Sequence, residues 1–491
     1  MSQSSFPHPV YAQHVLEPYF RDAKTLFYEP MLAANRAHVL MLYKQEIISQ
    51  ENAKALLGAI DQVEKEGLEN LHYVPGVEDL FFAIENRLIE ICGTAFGGNL
   101  QLARSRNDLG YALTRLALRP IILDILKLQS DFRQTLLDFA TKHLETVMPG
   151  YTHGQPAQPT TMAHYIAGII SSLERDSKRL IAAYHVNNAS PLGAAAFTGT
   201  GFAIDRVFVA DLLGFDSVIE STYDAIAASD NLTDPVSALI GMGINLSRFL
   251  KDLLFWATKE SGAIRIDDSF IQISSIMPQK RNPVVLEHLR ARVSRMIGQA
   301  NGVILQCHSI PFGDTQDIED ELIPPLFGSL ITAQETLSLF ISVIETLEVQ
   351  REHLALRAEK SFISVTELAD TLVRERGLAF RQAHHVVSAL VTDLMRSGRF
   401  DEPVSAAMLE NVAASILGKP LELSQDELDQ ALNPRSFIEK RRHLGGAAPQ
   451  ATTNVLRKQS DILRMDQDWL YAERERLNDA AQRLRSNADE V

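Results

Sequence analysis

The chain has 491 residues, 46% apolar and 22% charged, an ordinary globular balance that excludes wholesale disorder and a small stapled scaffold. With 47 lysines and arginines against 62 aspartates and glutamates, the net charge of −15 gives a surface that repels phosphate backbones, so no nucleic-acid partner is expected. Cys92 and Cys307 are too few for a disulfide framework and the N-terminal MSQSSFPHPV has neither a basic region nor an apolar run, which makes a reducing cytoplasm the expected location.

Taken in chain order, the first chemistry-bearing stretch is LARSRNDLGYALTRLALR, where Ser105, Arg106, Asn107 and Asp108 open a helical segment. A serine there caps a helix; it also fits a site in which Ser105, Asn107 and helix N-terminal amides hold a carboxylate. From Ile122 to Leu144, apolar residues recur at spacings of three and four (Ile122, Ile125, Leu128, Phe132, Leu136, Phe139), the stripe of a long helix. Next comes GYTHGQPAQPTTMAHYI, read as a proline-punctuated loop presenting Thr152, His153, Gln155 and Gln158 before another helix. A histidine among several polar groups suits proton transfer, because its unperturbed pKa lies near 6.5.

A second glycine- and proline-rich patch, Pro191 to Gly201, also reads as a loop. Between Ile240 and Trp256 apolar residues run nearly all round, as in a helix buried among helices. This is the stretch nearest to a membrane span, and Asn245, Arg248, Lys251 and Asp252 break it, so no membrane partner is expected. The patch Met277 to Pro283 precedes a helix from Val285 onward, with Leu286, Leu289, Val293, Met296 and Val303 on one face and Arg290, Arg292 and Arg295 on others. The charged segment Asp466 to Val491 is expected to be a fraying terminal helix. Alternating strands and a β-α-β rhythm are hardly visible, so the fold class is mainly α. Neither a metal nor a cofactor is expected: the cysteines stand alone, the pair His384 and His385 lacks the i, i+4 spacing of a zinc site, and no phosphate loop precedes a helix.

The stretch IQISSIMPQKRNPVVLEHLRAR holds Ser274, Ser275, Met277, Pro278, Lys280, Asn282 and Glu287, and matches the SSxMPxKxNP signature of the fumarase/aspartase superfamily. With that anchor the whole chain resembles argininosuccinate lyase: YEPMLAANRAHVLMLYKQEIIS, EDLFFAIENRLIEICG, the serine and histidine motifs, SPLGAAAFTGTGFAIDR and VTELADTLVRERGLAFRQAH follow in the family's order. The resemblance implies a mainly α, three-domain fold (1–104, 105–358, 359–491) whose central long-helix bundle tetramerises, with sites shared between subunits of a homotetramer. It implies a C–N lyase that releases fumarate from an N-substituted aspartate, a small dicarboxylate substrate.

By the same resemblance Ser274 is the general base, Lys280 supplies positive charge beside it, and Glu287 pairs with His153. Ser105, Arg106, Asn107, Thr152, Gln155, Ser275, Met277 and Asn282 bind substrate. The sequence departs from the family where the amine is read. Asp314, Glu319 and Leu322 stand where the family carries a tyrosine, a glutamine and a lysine, Phe81 replaces a histidine after Glu78-Asp79, and Ile273 replaces a glycine. With Asp79, the acidic residues Asp314 and Glu319 are therefore expected to face a cationic amine, as in an enzyme similar in type to ethylenediamine-N,N'-disuccinate lyase. Argininosuccinate lyase proper, a carboxymuconate-type cycloisomerase and a crystallin-like structural role are the alternatives.

Overall fold

The computed structural model describes residues 6–398 and 403–491, apart from the side chain of Glu319. Its N-terminal part contains α1 (Glu17–Lys44), α2 (Gln50–Glu66) and α3 (Leu80–Cys92), packed around Phe20, Leu32, Leu56, Ile60 and Leu88. Five long helices follow: α4 (Arg106–Lys142), α5 (Met162–Asn187), α6 (Asp230–Trp256), α7 (Val284–Cys307) and α8 (Ile323–Thr346). They alternate in direction and share one core with α1, in which Phe132, Phe249 and Phe340 meet. The mainly α class and the bundle agree with the apolar stripes of the sequence.

At 1.5 Å rise per residue, the 37 residues of α4 span roughly 55 Å. The bundle therefore has two well-separated ends. The first end gathers the start of α4, the loop at 191–201, the start of α6 and the segment before α8; the second gathers the end of α4, the end of α6 and the start of α7.

Four expectations are corrected. The stretch read as a loop at Pro149–Pro159 is an antiparallel hairpin, β1 (Val147–Thr152) with β2 (Gln155–Thr161). Thr152 pairs with Gln155, leaving the two-residue turn His153-Gly154, whose φ angles of 55° and 73° are those of the turn that matches strand twist. Likewise the signature patch is clasped by β3 (Gln272–Ile273) pairing with β4 (Arg281–Asn282). Ile273 thus sits in extended backbone that suits a β-branched residue.

The terminal helix does not fray: α13 (Pro449–Asp489) runs along α4 and α5 and buries Leu456, Leu463, Leu470 and Leu484. Arg133, fully buried, pairs with its Asp466, and Tyr184 donates to its Glu473 at 3.0 Å. Lastly, among the described residues the segment long and apolar enough to cross a membrane by length and composition is Gln316–Thr346, not Ile240–Trp256. Its main part, α8, packs between α4, α6 and α7, where Leu330, Leu337 and Phe340 are fully buried, which accounts for its composition.

Of the arginines on α7, Arg292 pairs with Glu335 of α8; the deeply buried ones are Arg115, Arg119 and Arg133 on α4. A separate core lies between Leu368 and Ala431, built by α9 (Val365–Arg376), α10 (Phe380–Arg396), α11 (Ala406–Leu417) and α12 (Gln425–Leu432).

Candidate active site

The first end holds the Ser105 motif. Ser105 is the N-cap of α4: its Oγ accepts from the Asn107 amide at 3.3 Å, and its own amide donates to Asp108 at 3.0 Å in a capping box. Asp108 does more than cap. Completely buried, with its pKa raised by burial, it accepts the amides of Gly193 (2.8 Å) and Ala195 (2.9 Å) and so ties the loop at 191–201 to the motif. Asn107 Nδ2 donates to the Ala196 carbonyl at 3.4 Å in the same loop. In sequence Asp108 reads as no more than a helix-opening, capping residue; its hold on the loop at 191–201 appears only in the fold.

A cavity of about 220 Å³ opens beside this motif, lined by Arg106, Asn107, Asp79, Asp314 and Asp320 among others. Arg106 holds Asp79 at 2.8 Å and Glu78 at 3.5 Å, and its guanidinium lies over the Phe82 ring. Asp79 also caps α3 by accepting from Phe82 N at 2.9 Å. Asp320, which sequence reasoning passed over, has its pKa pushed up to about 7, chiefly by burial and further by Asp79, Glu321 and Glu78. Phe81 lines this cavity, whereas Leu322 is fully buried and lines a smaller apolar one with Phe27, Tyr111 and Leu326. Glu319 ends a short helix, and its side chain lies outside the described residues.

The second end holds the remaining expected residues. Thr152, His153 and Gln155 are exposed at the tip of the hairpin. The signature loop is exposed as well: Ile273 and Ile276 are 76% and 82% accessible, and Ser275, Met277 and Lys280 face solvent. Ser274 Oγ accepts from the amides of Met277 (3.1 Å) and Ile276 (3.4 Å), two donors that favour a negative oxygen over a neutral hydroxyl. The base of the loop is anchored by Arg281, which pairs with Asp268 and donates to Ile266 O at 3.0 Å. Asn282 pairs with Gln272 across the clasp, and Glu287 is exposed on the first turn of α7. Within one chain, then, Ser105, Arg106, Asn107, Asp79 and Asp314 come together at the first end, while the hairpin tip and the signature loop are each exposed at the second, with α4 keeping them from the first group. Among the described residues no group of three or more His, Cys, Asp or Glu is placed to hold a metal ion.

Residues 24–298 match the family model described as lyase, and residues 362–439 match the one described as argininosuccinate lyase C-terminal. The bundle, the signature loop and these matches define a member of the fumarase/aspartase superfamily. Argininosuccinate lyase 1 of Shouchella clausii is 34% identical over 97% of this chain and 96% of its own length; argininosuccinate lyase 2 of Agrobacterium fabrum is 37% identical over 91% and 89%. The crystal structure of EDDS lyase in complex with formate superposes with a TM-score of 0.88 at 27% identity, over 99% of this chain and 96% of that one. The chain therefore belongs to the argininosuccinate lyase family, and it is a fumarate-releasing C–N lyase. A 3-carboxy-cis,cis-muconate lactonizing enzyme from Pseudomonas putida, at 18% identity and a TM-score of 0.69 over 93% of this chain and 99% of that one, shares the fold alone.

Proposed function

We propose that the enzyme eliminates an amine other than arginine from an N-substituted aspartate, and that it does so as a homotetramer whose sites are completed between chains. The observation that carries the choice of substrate is Asp314 in one cavity with Asn107, a carboxylate at the position where the sequence resemblance has the family's arginine-reading phenol. Shared sites follow from length. Neighbouring bundles running antiparallel bring the first end of one chain against the second ends of two others, one giving the hairpin tip and one the signature loop, which is how a dihedral tetramer repairs a separation of roughly 55 Å along α4. Exposed apolar side chains on the bundle, Ile244 and Phe255 of α6, Leu305 of α7 and Ile331 of α8, supply a face for that association.

In this reading Ser274 takes the proton from the carbon next to a substrate carboxylate. The electron pair moves onto that carboxylate, which then carries two negative charges; it returns to form the C=C bond of fumarate as the C–N bond breaks, its pair leaving on the nitrogen, which takes up a proton. Ser105, Asn107, Thr152, Ser275, Lys280 and Asn282 donate to the doubly charged group, with Arg106, Gln155 and Met277 completing its surroundings; donors of this kind are worth about 3–4 kcal/mol each and do not add linearly. Ser274 becomes basic enough when its loop closes and adds Lys280 to the two amides already on its oxygen. His153, oriented by Glu287, delivers the proton to the leaving nitrogen.

The limits 1–104, 105–358 and 359–491 stay our proposal for the domains, with α13 tying the third to the second. The cytoplasm is the proposed location, supported by two unpaired cysteines. The test is to incubate the enzyme with fumarate and a panel of amines, following fumarate at about 240 nm and N-substituted aspartates by mass spectrometry. Adducts with non-arginine amines are expected; cleavage of argininosuccinate as fast as the best of them overturns the substrate assignment.

A further inference from the structure

Three aromatic rings that lie far apart in the sequence meet on the surface of the first end. Tyr223 and Phe312 stack with centroids 5.9 Å apart and planes within 7°, and Phe197 leans on Tyr223 at 5.4 Å. All three are exposed, Phe312 at 62%. The cluster is not adrift. Phe197 follows Ala196, whose carbonyl accepts from Asn107, in the loop that Asp108 fastens through Gly193 and Ala195. Phe312 stands two residues before Asp314, which lines the cavity together with Asn107. Phe197 and Phe312 thus stand on the two segments that carry Ala196 and Asp314 to the amine side of the site, and Tyr223 bridges them.

The chemistry of the rings and of the cavity agree. Ring faces carry negative quadrupole potential and attract organic cations within about 6 Å. The neighbouring carboxylates Glu78, Asp79, Asp314 and Asp320 outnumber the one guanidinium among them, Arg106, which is already shared between Asp79 and Glu78. A leaving amine that is only hydrocarbon beyond its reacting nitrogen satisfies the rings and does nothing for the excess of negative charge. One that carries a second ammonium on an apolar spacer satisfies both. We propose that Phe312, Tyr223 and Phe197 form the distal wall of the amine subsite and that the leaving group is a diamine-like amine whose far cation rests on this wall beside Asp314. The inference rests on the reading of the first end as the substrate-binding end.

The experiment runs the reaction towards addition with fumarate and two probes of equal length, 1,4-diaminobutane and n-pentylamine, and compares kcat/KM in the wild type, Phe312→Leu, Tyr223→Leu and Phe312→Tyr. The wild type is expected to prefer the diamine by about tenfold, within the range of a cation over an aromatic face. Leucine at either position should bring the ratio several-fold closer to one with fumarate affinity unchanged, while Phe312→Tyr keeps it. An unchanged ratio in both leucine variants overturns the proposal. So does a change of oligomeric state in these variants by light scattering without a change in ratio, which would make the wall an interface between chains. Equal wild-type use of both amines defeats this inference alone, whereas no adduct with any amine, arginine included, removes the lyase reading beneath it.

Discussion

The two ends of the bundle are built on opposite principles. At the first end every polar group of the Ser105 motif is committed: Ser105 caps, Asp108 is buried under three amides, and Arg106 is held by two carboxylates. At the second end the expected acid and base sit on exposed loops held by a hairpin and a two-rung clasp. The Ser105 motif is set in place within one chain, whereas the hairpin tip and the signature loop are presented outward. A fixed half beside an open half is compatible with the proposed chemistry, which needs water excluded only after binding.

The largest effect that sharpens this contrast is on the open end. Ser274→Ala is expected to lower kcat by about 10² to 10⁴, the usual contribution of a general base, while fumarate binding and helical content by circular dichroism stay intact. A variant keeping more than roughly one hundredth of wild-type kcat would count against Ser274 as the base. The next effect depends on assembly. Ser274→Ala and His153→Asn chains, each inactive, should regain measurable activity when denatured and refolded together; asparagine is chosen because it tolerates the positive φ of 55° at this turn. Mixed tetramers that stay inactive would place both residues in the same chain's site.

At the committed end the expected effects are smaller and appear first as stability. Asp108→Ala leaves the amides of Ser105, Gly193 and Ala195 without their acceptor and should cost about 1–3 kcal/mol in urea unfolding, with a raised KM. A loss below about 0.5 kcal/mol would show that the loop holds without it. The smallest concerns Asp320. Its carboxyl titrates at about 7 when folded against 3.8 for an ordinary aspartate in the unfolded chain, so the folded form binds the proton more tightly. The stability this gives is fully present below about pH 4 and is lost as pH rises through 7. Asp320→Asn should therefore be the more stable protein at pH 8, by about 1 kcal/mol after allowance for solvent, and no different at pH 4. Equal pH profiles for variant and wild type would refute the shift.

How far the sequence could be read follows the same division. The bundle was legible because Ile122 to Phe139 and Leu286 to Val303 repeat at helical spacing, and the signature loop because its residue types lie within a few positions of one another. The hairpin at 147–161 escaped because Pro149, Pro156 and Pro159 read as loop punctuation and the turn is His-Gly rather than the commoner Asn-Gly. In sequence α8 is apolar enough for a membrane span, and only its packing between α4, α6 and α7 shows why. Phe197, Tyr223 and Phe312 carry no linear signal at all, since a wall made from three loops exists only once the chain has folded.

Helix α4 sets a constraint of another kind, on how this enzyme can change over generations. A residue inserted within its 37 advances one end by about 1.5 Å and rotates it by about 100° relative to the other, so every group beyond the insertion swings out of register at once. Point replacements along α4 alter packing locally, but its length is inherited as a unit. Variation is therefore channelled into the loops that cap the bundle, where residues can be added or exchanged without moving its opposite end.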